Sequence, residues 1–195
     1  DSRAHPSTQH CGPFAARAAL LDGRVTEGVA IPASADPRGP RVPHCKVSGS
    51  VGREIRFELL LPDVWNRRLV MGGGGGFVGS VDNQARRSLD EGFATVGTDT
   101  GHQGLVFLAG WALNDLERQV NFGHLAVHRV AVTAKALVEA YYGERPRFSY
   151  FDGCSNGGRQ ALMEAQRYPE DFDGIIAGAP ALSFTRLAAA FVKNA

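Results

Sequence analysis

The sequence has few cysteines, methionines and tryptophans, no long apolar run, and almost no excess of charge. It contains three cysteines, two methionines and two tryptophans in 195 residues. No stretch approaches the ~20 consecutive apolar residues that cross a bilayer as a helix. Lysine and arginine together number 21, against 20 for aspartate and glutamate. This balance excludes the basic surface typical of nucleic-acid-binding proteins and the polybasic patch of membrane-surface proteins, and it indicates a globular chain with one core.

The three cysteines, Cys11, Cys45 and Cys154, are an odd number. In an oxidising compartment an odd count leaves one cysteine without a partner in the chain, whereas in the cytosol the count implies nothing. The chain begins at Asp1, without a methionine and without a signal-like apolar segment. We therefore expect it to be a trimmed form of the protein.

Residues 1–50 show little periodic pattern, and four prolines fall between residues 32 and 43. Such a density of prolines is typical of loops. We predict an irregular N-terminal segment at 1–50 that packs on a single domain formed by 51–195.

Strand-like and helix-like patterns alternate from residue 51 onward. Strands are predicted in 54–62, 68–72, 93–102, 147–152 and 173–180, and helices in 82–92, 122–142 and 157–168. This alternation predicts the α/β class, with a mostly parallel sheet that carries helices on both faces.

The segment Gly153-Cys154-Ser155-Asn156-Gly157 fits the pattern G-x-S-x-G, and it lies between a predicted strand and a predicted helix. A nucleophile on such a sharp turn has a strained backbone and needs small neighbours on either side. The start of the following helix then faces the negative charge that develops on the substrate. The alternative is a glycine-lined turn whose serine caps the helix.

The run "GGGGGFVG" at residues 72–79 follows a predicted strand, which is where an oxyanion-hole loop lies in this architecture. One backbone N–H would come from this loop and the other from Asn156, the residue after the serine. A flexible surface loop is the alternative interpretation.

The same loop also matches a dinucleotide fingerprint through Gly74, Gly76 and Gly79, with Asp99 twenty residues beyond Gly79. A dinucleotide-binding oxidoreductase is therefore a second candidate function. Against it, no helix is predicted before about Asp82, whereas the fingerprint requires a helix that opens within the glycine pattern.

The stretch "GCSNGGRQALMEAQRYPEDFDGIIAGAPA", together with "LLLPDVWNRRLVMGGGGGFVGS" and "FATVGTDTGH", resembles the tannase and feruloyl esterase family, which includes esterases acting on terephthalate half-esters. The likeness runs from about Cys11 to the end of the chain. It implies an α/β-hydrolase fold and a secreted or periplasmic serine esterase. Its substrates would be small carboxylic esters of aromatic acids such as gallate or hydroxycinnamates.

By position, the resemblance makes Ser155 the nucleophile and the N–H groups of Gly76 and Asn156 the oxyanion hole. It also implies a disulfide between Cys11 and Cys45. In the family, the cysteine before the serine pairs with a cysteine beside the catalytic histidine, so Cys154 would have its partner outside this chain.

The family places its triad aspartate and histidine far downstream, after a lid that carries a calcium site, and these parts have no counterpart among the 195 residues. The sequence is therefore expected to be the N-terminal part of such an enzyme, with the C-terminal part as its partner. No cofactor is expected in this chain, and calcium would belong to the lid. A fragment that keeps the scaffold without catalysing the reaction is the remaining alternative.

Other titratable residues are expected to have structural roles. His102 ends a strand at the carboxyl edge of the sheet, where it could shape a pocket, and Asp99 and Asp152 are interpreted as loop or strand-end residues rather than triad acids. His124 and His128 are four residues apart on a predicted helix, so a metal pair is conceivable, but a packed or solvated helix face is favoured. No spacing of cysteine and histidine fits a zinc site.

Overall fold

A single mixed β-sheet forms the centre of the protein. The computed structural model describes residues 10–36 and 39–194. Within them the strands lie in the order β1-β2-β3-β4-β6-β5-β7-β8. Their bounds are β1 (Ala19–Leu20), β2 (Gly23–Ile31), β3 (His44–Val51), β4 (Ile55–Pro62), β5 (Arg68–Gly72), β6 (Ala94–Thr98), β7 (Phe148–Cys154) and β8 (Gly174–Gly178).

Strands β5 to β8 pair parallel with one another, as the alternation of strands and helices predicts. Strands β1 to β4 pair antiparallel with each other, and β4 also pairs antiparallel with β6. The chain passes from β5 to β6 on one side and later returns to β7 on the other. The carboxyl ends of β5 and β7 therefore lie at a switch point of the sheet, where open α/β sheets bind their ligands.

Among the described residues five α-helices accompany the sheet, and the longest supplies much of the core. In that helix the apolar positions recur at three- and four-residue intervals, so one face packs on the sheet. The buried residues of this face are Ala126, Val127, Val130, Ala131, Ala134, Leu137, Val138 and Tyr141. The helices are α1 (Cys11–Arg17), α2 (Leu116–Val120), α3 (Ala126–Tyr142), α4 (Asn156–Arg167) and α5 (Phe184–Asn194).

Two helices differ from the sequence prediction at their N-termini. The helix expected over 82–92 is a 3-10 helix that begins only at Arg86, and Gly92 ends it in a left-handed conformation (φ 83°). Residues 82–85 do not join this helix. Asp82 instead forms a β-bridge with Thr98, and the Gln84 N–H donates to the Gly73 carbonyl. The helix predicted over 122–142 begins earlier, because α2 (Leu116–Val120) runs through a π-helical turn, Asn121–Leu125, directly into α3.

The expectation of an irregular segment at residues 1–50 is wrong for much of its described part, which contains α1, β1, β2 and most of β3. Residues 1–9 and 37–38 lie outside the described residues, and the proline-rich stretch joins β2 to β3. Ser48, Gly49 and Ser50 are consecutive in β3, so its sequence shows only a weak strand pattern. Antiparallel pairing with β4 stabilises β3 as a strand, with Val47 opposite Leu59 and Val51 opposite Ile55. The division of the chain into 1–50 and 51–195 stays a prediction.

A disulfide between Cys11 and Cys45 ties α1 to β3, as the family resemblance implies. Both cysteines are fully buried within the core. Cys154 is exposed and is a free thiol within the described part of the chain. No helix of that part is long and apolar enough to cross a membrane.

Candidate active site

Ser155 lies on the sharp turn that joins β7 to α4, with φ 60° and ψ −119°. A positive φ is strained for any residue with a side chain, and such strain is concentrated at functional sites. The turn is fixed by three hydrogen bonds between backbone atoms. Ser155 donates its N–H to the Gly178 carbonyl (3.0 Å), and its own carbonyl accepts from Arg159 (3.1 Å) and Ala181 (3.0 Å). The hydroxyl makes no capping hydrogen bond to α4 and the residue is exposed, so the interpretation of Ser155 as a simple helix cap is wrong.

The glycines around the serine are required by close packing of the backbone. A Cβ on Gly153 would lie 2.4 Å from the Gly157 carbonyl oxygen. A Cβ on Gly157 would lie 3.2 Å from the Gly73 Cα, and one on Gly158 would lie 2.4 Å from the Gly178 carbonyl oxygen. The turn can therefore approach both β8 and the glycine loop only because these positions carry no side chain.

The glycine loop, residues 72–79, is held in place rather than flexible. Its Gly74 N–H donates to Gln160 Oε1 (3.0 Å), and its Gly75 N–H donates to Asp82 Oδ2 (2.9 Å). Gly76 has φ +54°, and a Cβ there would lie 2.6 Å from the Val106 carbonyl oxygen. Gly76 is exposed, and among the described residues its N–H has no hydrogen-bond partner.

Asn156 connects the loop to the nucleophile helix. Its Nδ2 donates to the Gly74 carbonyl (2.9 Å), and its Oδ1 accepts from Arg159 Nε (2.8 Å). As the first residue of α4, it carries a backbone N–H for which the helix itself offers no acceptor. The Gly76 N–H has no partner among the described residues and the Asn156 N–H has none within α4, and their roles as oxyanion donors stay predictions.

An aromatic wall stands beside the glycine loop. It consists of Phe77, Phe122 and Phe184, whose ring centroids are 5.8–6.2 Å apart. The buried Arg159 guanidinium lies over Phe122 and Phe184 and donates to the carbonyls of Phe122 and Gly123. Burial lowers the pKa of Arg159 to about 10.

A largely apolar groove of about 390 Å³ opens next to this wall. Sequence reasoning missed the wall because its three phenylalanines come from distant parts of the chain, and no local pattern relates them. The groove is lined on one side by α4 and on the other by residues 181–183, which precede α5. Leu162, Met163 and Leu182 are among its apolar residues.

His102 lies at the carboxyl edge of the sheet and is fully buried. Its ring stacks on Trp111 (3.6 Å between centroids), and neither ring nitrogen has a hydrogen-bond partner within the described residues. Burial lowers the pKa of His102, an effect that the nearby backbone of Phe77 partly offsets. This position shapes the wall without presenting a base to solvent.

In the dinucleotide fingerprint the acidic residue binds the ribose of the cofactor, but Asp99 has a structural role that excludes such a contact. Its carboxylate accepts hydrogen bonds from the backbone of Arg56 and Gly101 and from the Gln103 side chain, and the residue is fully buried. Burial raises the pKa of Asp99, which these hydrogen bonds oppose. No helix opens within the glycine loop either, so both requirements of the dinucleotide fingerprint fail.

His124 and His128 contact the segment after α4 rather than each other. His124 Nδ1 is 2.9 Å from the Tyr168 hydroxyl, and His128 Nδ1 is 2.6 Å from Asp171 Oδ2. The His128 ring stacks on Tyr168 at 4.0 Å. Over residues 10–36 and 39–194, no group of three histidine, cysteine, aspartate or glutamate side chains could hold a metal ion.

Glu164, on α4, has a buried carboxyl group that interacts with Asp171. It is fully buried, and its oxygens meet no donor in the described structure. Burial raises the pKa of Glu164 to about 9, with a further contribution from Asp171 and an opposing one from Lys135. A protonated Glu164 can share its proton with Asp171, so the neutral form is the one that the fold accommodates.

We expect Glu164→Gln to stabilise the protein increasingly as the pH rises from about 5 to 9. The folded-state pKa of Glu164 lies above the unfolded value of 4.5, so the wild type loses stability over that window and the glutamine variant does not. The difference can grow by at most about 1.4 kcal/mol per pH unit. Urea unfolding at pH 5 and pH 8 measures it, with Glu170→Gln on the adjacent surface as the control. A constant difference between the two pH values contradicts the prediction.

A strained serine between β7 and α4, next to a glycine loop that follows β5, is typical of the α/β-hydrolase fold. The sequence model of the family "Tannase and feruloyl esterase" matches residues 41–195, and the chain belongs to this family. A probable feruloyl esterase of Arthroderma benhamiae is 45% identical over 131 residues, which are 64% of this chain and 24% of that protein. A mono(2-hydroxyethyl) terephthalate hydrolase of Piscinibacter sakaiensis is 37% identical over 160 residues, 70% of this chain and 26% of that protein.

The fold agrees with this assignment. The crystal structure of feruloyl esterase B from Aspergillus oryzae superposes with a TM-score of 0.84 at 31% identity, over 92% of this chain and 39% of that one. The chain thus spans about a quarter of the length of the curated relatives that it matches.

Proposed function

We propose that the natural gene product containing these 195 residues is a serine esterase that cleaves carboxylic esters of aromatic acids. The observation that carries the proposal is the position of Ser155 on a strained, exposed turn whose glycines pack against Gly73 of the glycine loop. Membership of the tannase and feruloyl esterase family supports the same reaction class.

In the proposed reaction the Ser155 hydroxyl attacks the ester carbonyl while a histidine takes its proton. The N–H groups of Gly76 and Asn156 stabilise the oxyanion of the tetrahedral intermediate. The alcohol leaves with the proton returned by the histidine, and water then hydrolyses the acyl-enzyme. This sequence of steps needs no cofactor.

The base and the acid are proposed to come from outside these residues. His102 is buried against Trp111, and His124 and His128 contact Tyr168 and Asp171. In the part of the chain that the structure describes, none of these three histidines is paired with Ser155.

The aromatic wall supports an aromatic acyl group as the preferred substrate. Stacked and edge contacts with phenylalanine rings favour a flat ring over an alkyl chain of similar area. Two of the relatives are named for feruloyl and terephthalate esters, both of which carry an aromatic acyl group. A secreted or periplasmic location is proposed because a buried disulfide persists in oxidising compartments.

The proposal is tested with the gene product and a pair of methyl esters, methyl ferulate and methyl hexanoate. We expect kcat/KM to be at least about tenfold higher for the aromatic ester, since ring contacts contribute about 0.5–1.5 kcal/mol each. A fluorophosphonate should label Ser155 in the gene product and scarcely react with the 195-residue chain, because a serine without its base is a poor nucleophile. Equal turnover of the two esters would reject the substrate class, and labelling of another residue would reject the nucleophile.

A further inference from the structure

The hydrogen-bond ladder between β5 and β7 is interrupted next to the nucleophile. Gly72 pairs with Asp152, and the Gly73 N–H donates to the Asp152 carbonyl (2.8 Å). In a regular parallel ladder the Gly73 carbonyl would next accept from the Cys154 N–H. That bond is absent, because the glycine loop leaves the sheet at this point.

Gln84 fills the gap with both its backbone and its side chain. Its backbone N–H donates to the Gly73 carbonyl (3.1 Å). Its side-chain Oε1 accepts from the Cys154 N–H (2.7 Å), and its Nε2 donates to the Cys154 carbonyl (3.3 Å). Gln84 thus provides hydrogen-bond partners for the Gly73 carbonyl, just after β5, and for both backbone groups of Cys154, at the end of β7.

Gly157 provides the space for this arrangement. A Cβ at position 157 would lie 2.4 Å from Gln84 Oε1, so the glutamine amide occupies the volume that a side chain on α4 would need. The absence of a side chain at Gly157 therefore permits two close contacts, one with the Gln84 amide and one with Gly73 of the glycine loop.

We infer that Gln84 is a positioning residue for the nucleophile, an inference that rests on the proposed esterase function. It holds the peptide immediately before Ser155 at a fixed distance from the strand that begins the oxyanion loop. The nucleophile and the oxyanion donor lie on opposite sides of this junction, so their separation depends on the glutamine. Misplacement of a catalytic group by about 1 Å can reduce the rate ~10²-fold.

The variants Gln84→Met and Gln84→Ala test this role. Methionine keeps the volume and removes the side-chain hydrogen bonds, whereas alanine removes both. In the gene product we expect either variant to lower kcat ten- to a hundredfold, with KM and the urea midpoint close to wild type. Gln119→Met is the matched control, because Gln119 is also exposed and donates to a carbonyl, that of Ala112, on a different loop.

A second measurement does not depend on catalysis. In the 195-residue chain, amide hydrogen exchange followed by NMR should be at least tenfold faster at Cys154 in both Gln84 variants than in the wild type. Unchanged exchange together with unchanged kcat overturns the inference. A loss of activity in Gln84→Ala alone also overturns it, because packing rather than hydrogen bonding would then be responsible, and so does a rise in KM with kcat retained.

The outcome is distinguishable from a failure of the proposed function. If Ser155→Ala abolishes ester hydrolysis and the Gln84 variants match the wild type, only the positioning role is rejected. If Ser155→Ala remains active, the esterase assignment itself fails, whatever the Gln84 variants do.

Discussion

Replacing Ser155 with alanine is expected to abolish ester hydrolysis by the gene product, with kcat falling by at least about 10⁴-fold. The loss follows from the removal of the only atom proposed to bond to the acyl group, and nucleophile deletions in serine hydrolases have effects of this size. The residual rate would come from the oxyanion donors and from substrate binding. Initial rates on a chromogenic aromatic ester measure the effect.

Ser80→Ala is the matched control for this experiment, since Ser80 is exposed and follows the glycine loop but has no role in the proposed reaction. We expect its kcat to equal that of the wild type. The folded state of each variant is checked by its urea midpoint, because the exposed Ser155 hydroxyl makes no capping bond whose loss could unfold the turn. Full activity in the Ser155→Ala variant would remove the basis of the proposed function.

Replacing both Cys11 and Cys45 with alanine is expected to lower the free energy of unfolding by roughly 3–4 kcal/mol in the chain-entropy description. The disulfide closes a loop with a sequence separation of 34 residues, most of which belongs to β2 and the proline-rich connection. Without the bond, the unfolded chain gains the conformational freedom of that whole loop. Urea unfolding of the oxidised wild type and the double variant gives the difference.

Cys154→Ala is the control for the disulfide experiment, because Cys154 is exposed and a free thiol in the described structure. We expect its stability to lie within about 0.5 kcal/mol of the wild type. Peptide mapping without reduction should recover the residue pair 11 and 45 as one linked fragment. Equal stability of the double variant and the wild type would show that the bond does not restrain the segment.

The parts of the site that sequence could predict are those fixed by local chemistry. Gly153 and Gly157 surround Ser155 because only glycine permits the turn, so the pattern itself predicts the turn and a candidate nucleophile on it. The helix face of α3 follows from apolar residues at helical spacing, and Gly92 and Gly143 end their helices in left-handed conformations that favour glycine.

The parts that sequence could not predict depend on partners far away in the chain. β3 forms because β4 lies beside it, and the helix expected from residue 82 starts late because Asp82 and Gln84 bond to other strands. Neither effect leaves a periodic signal, since hydrogen bonds between distant backbone groups do not constrain the type of residue that makes them.

By itself, the sequence determined that Ser155 lies on the turn of a strand–turn–helix unit, since the steric demand for glycine is local. It also determined the family, because that demand and the neighbouring residues recur as a recognisable string. The tertiary structure alone decided that Gln84 closes the gap between β5 and β7, and that Phe77, Phe122 and Phe184 form one wall. These contacts join residues 70 positions apart for Gln84 and Cys154 and 107 positions apart for Phe77 and Phe184, and only the packing of the sheet brings such residues within reach of one another.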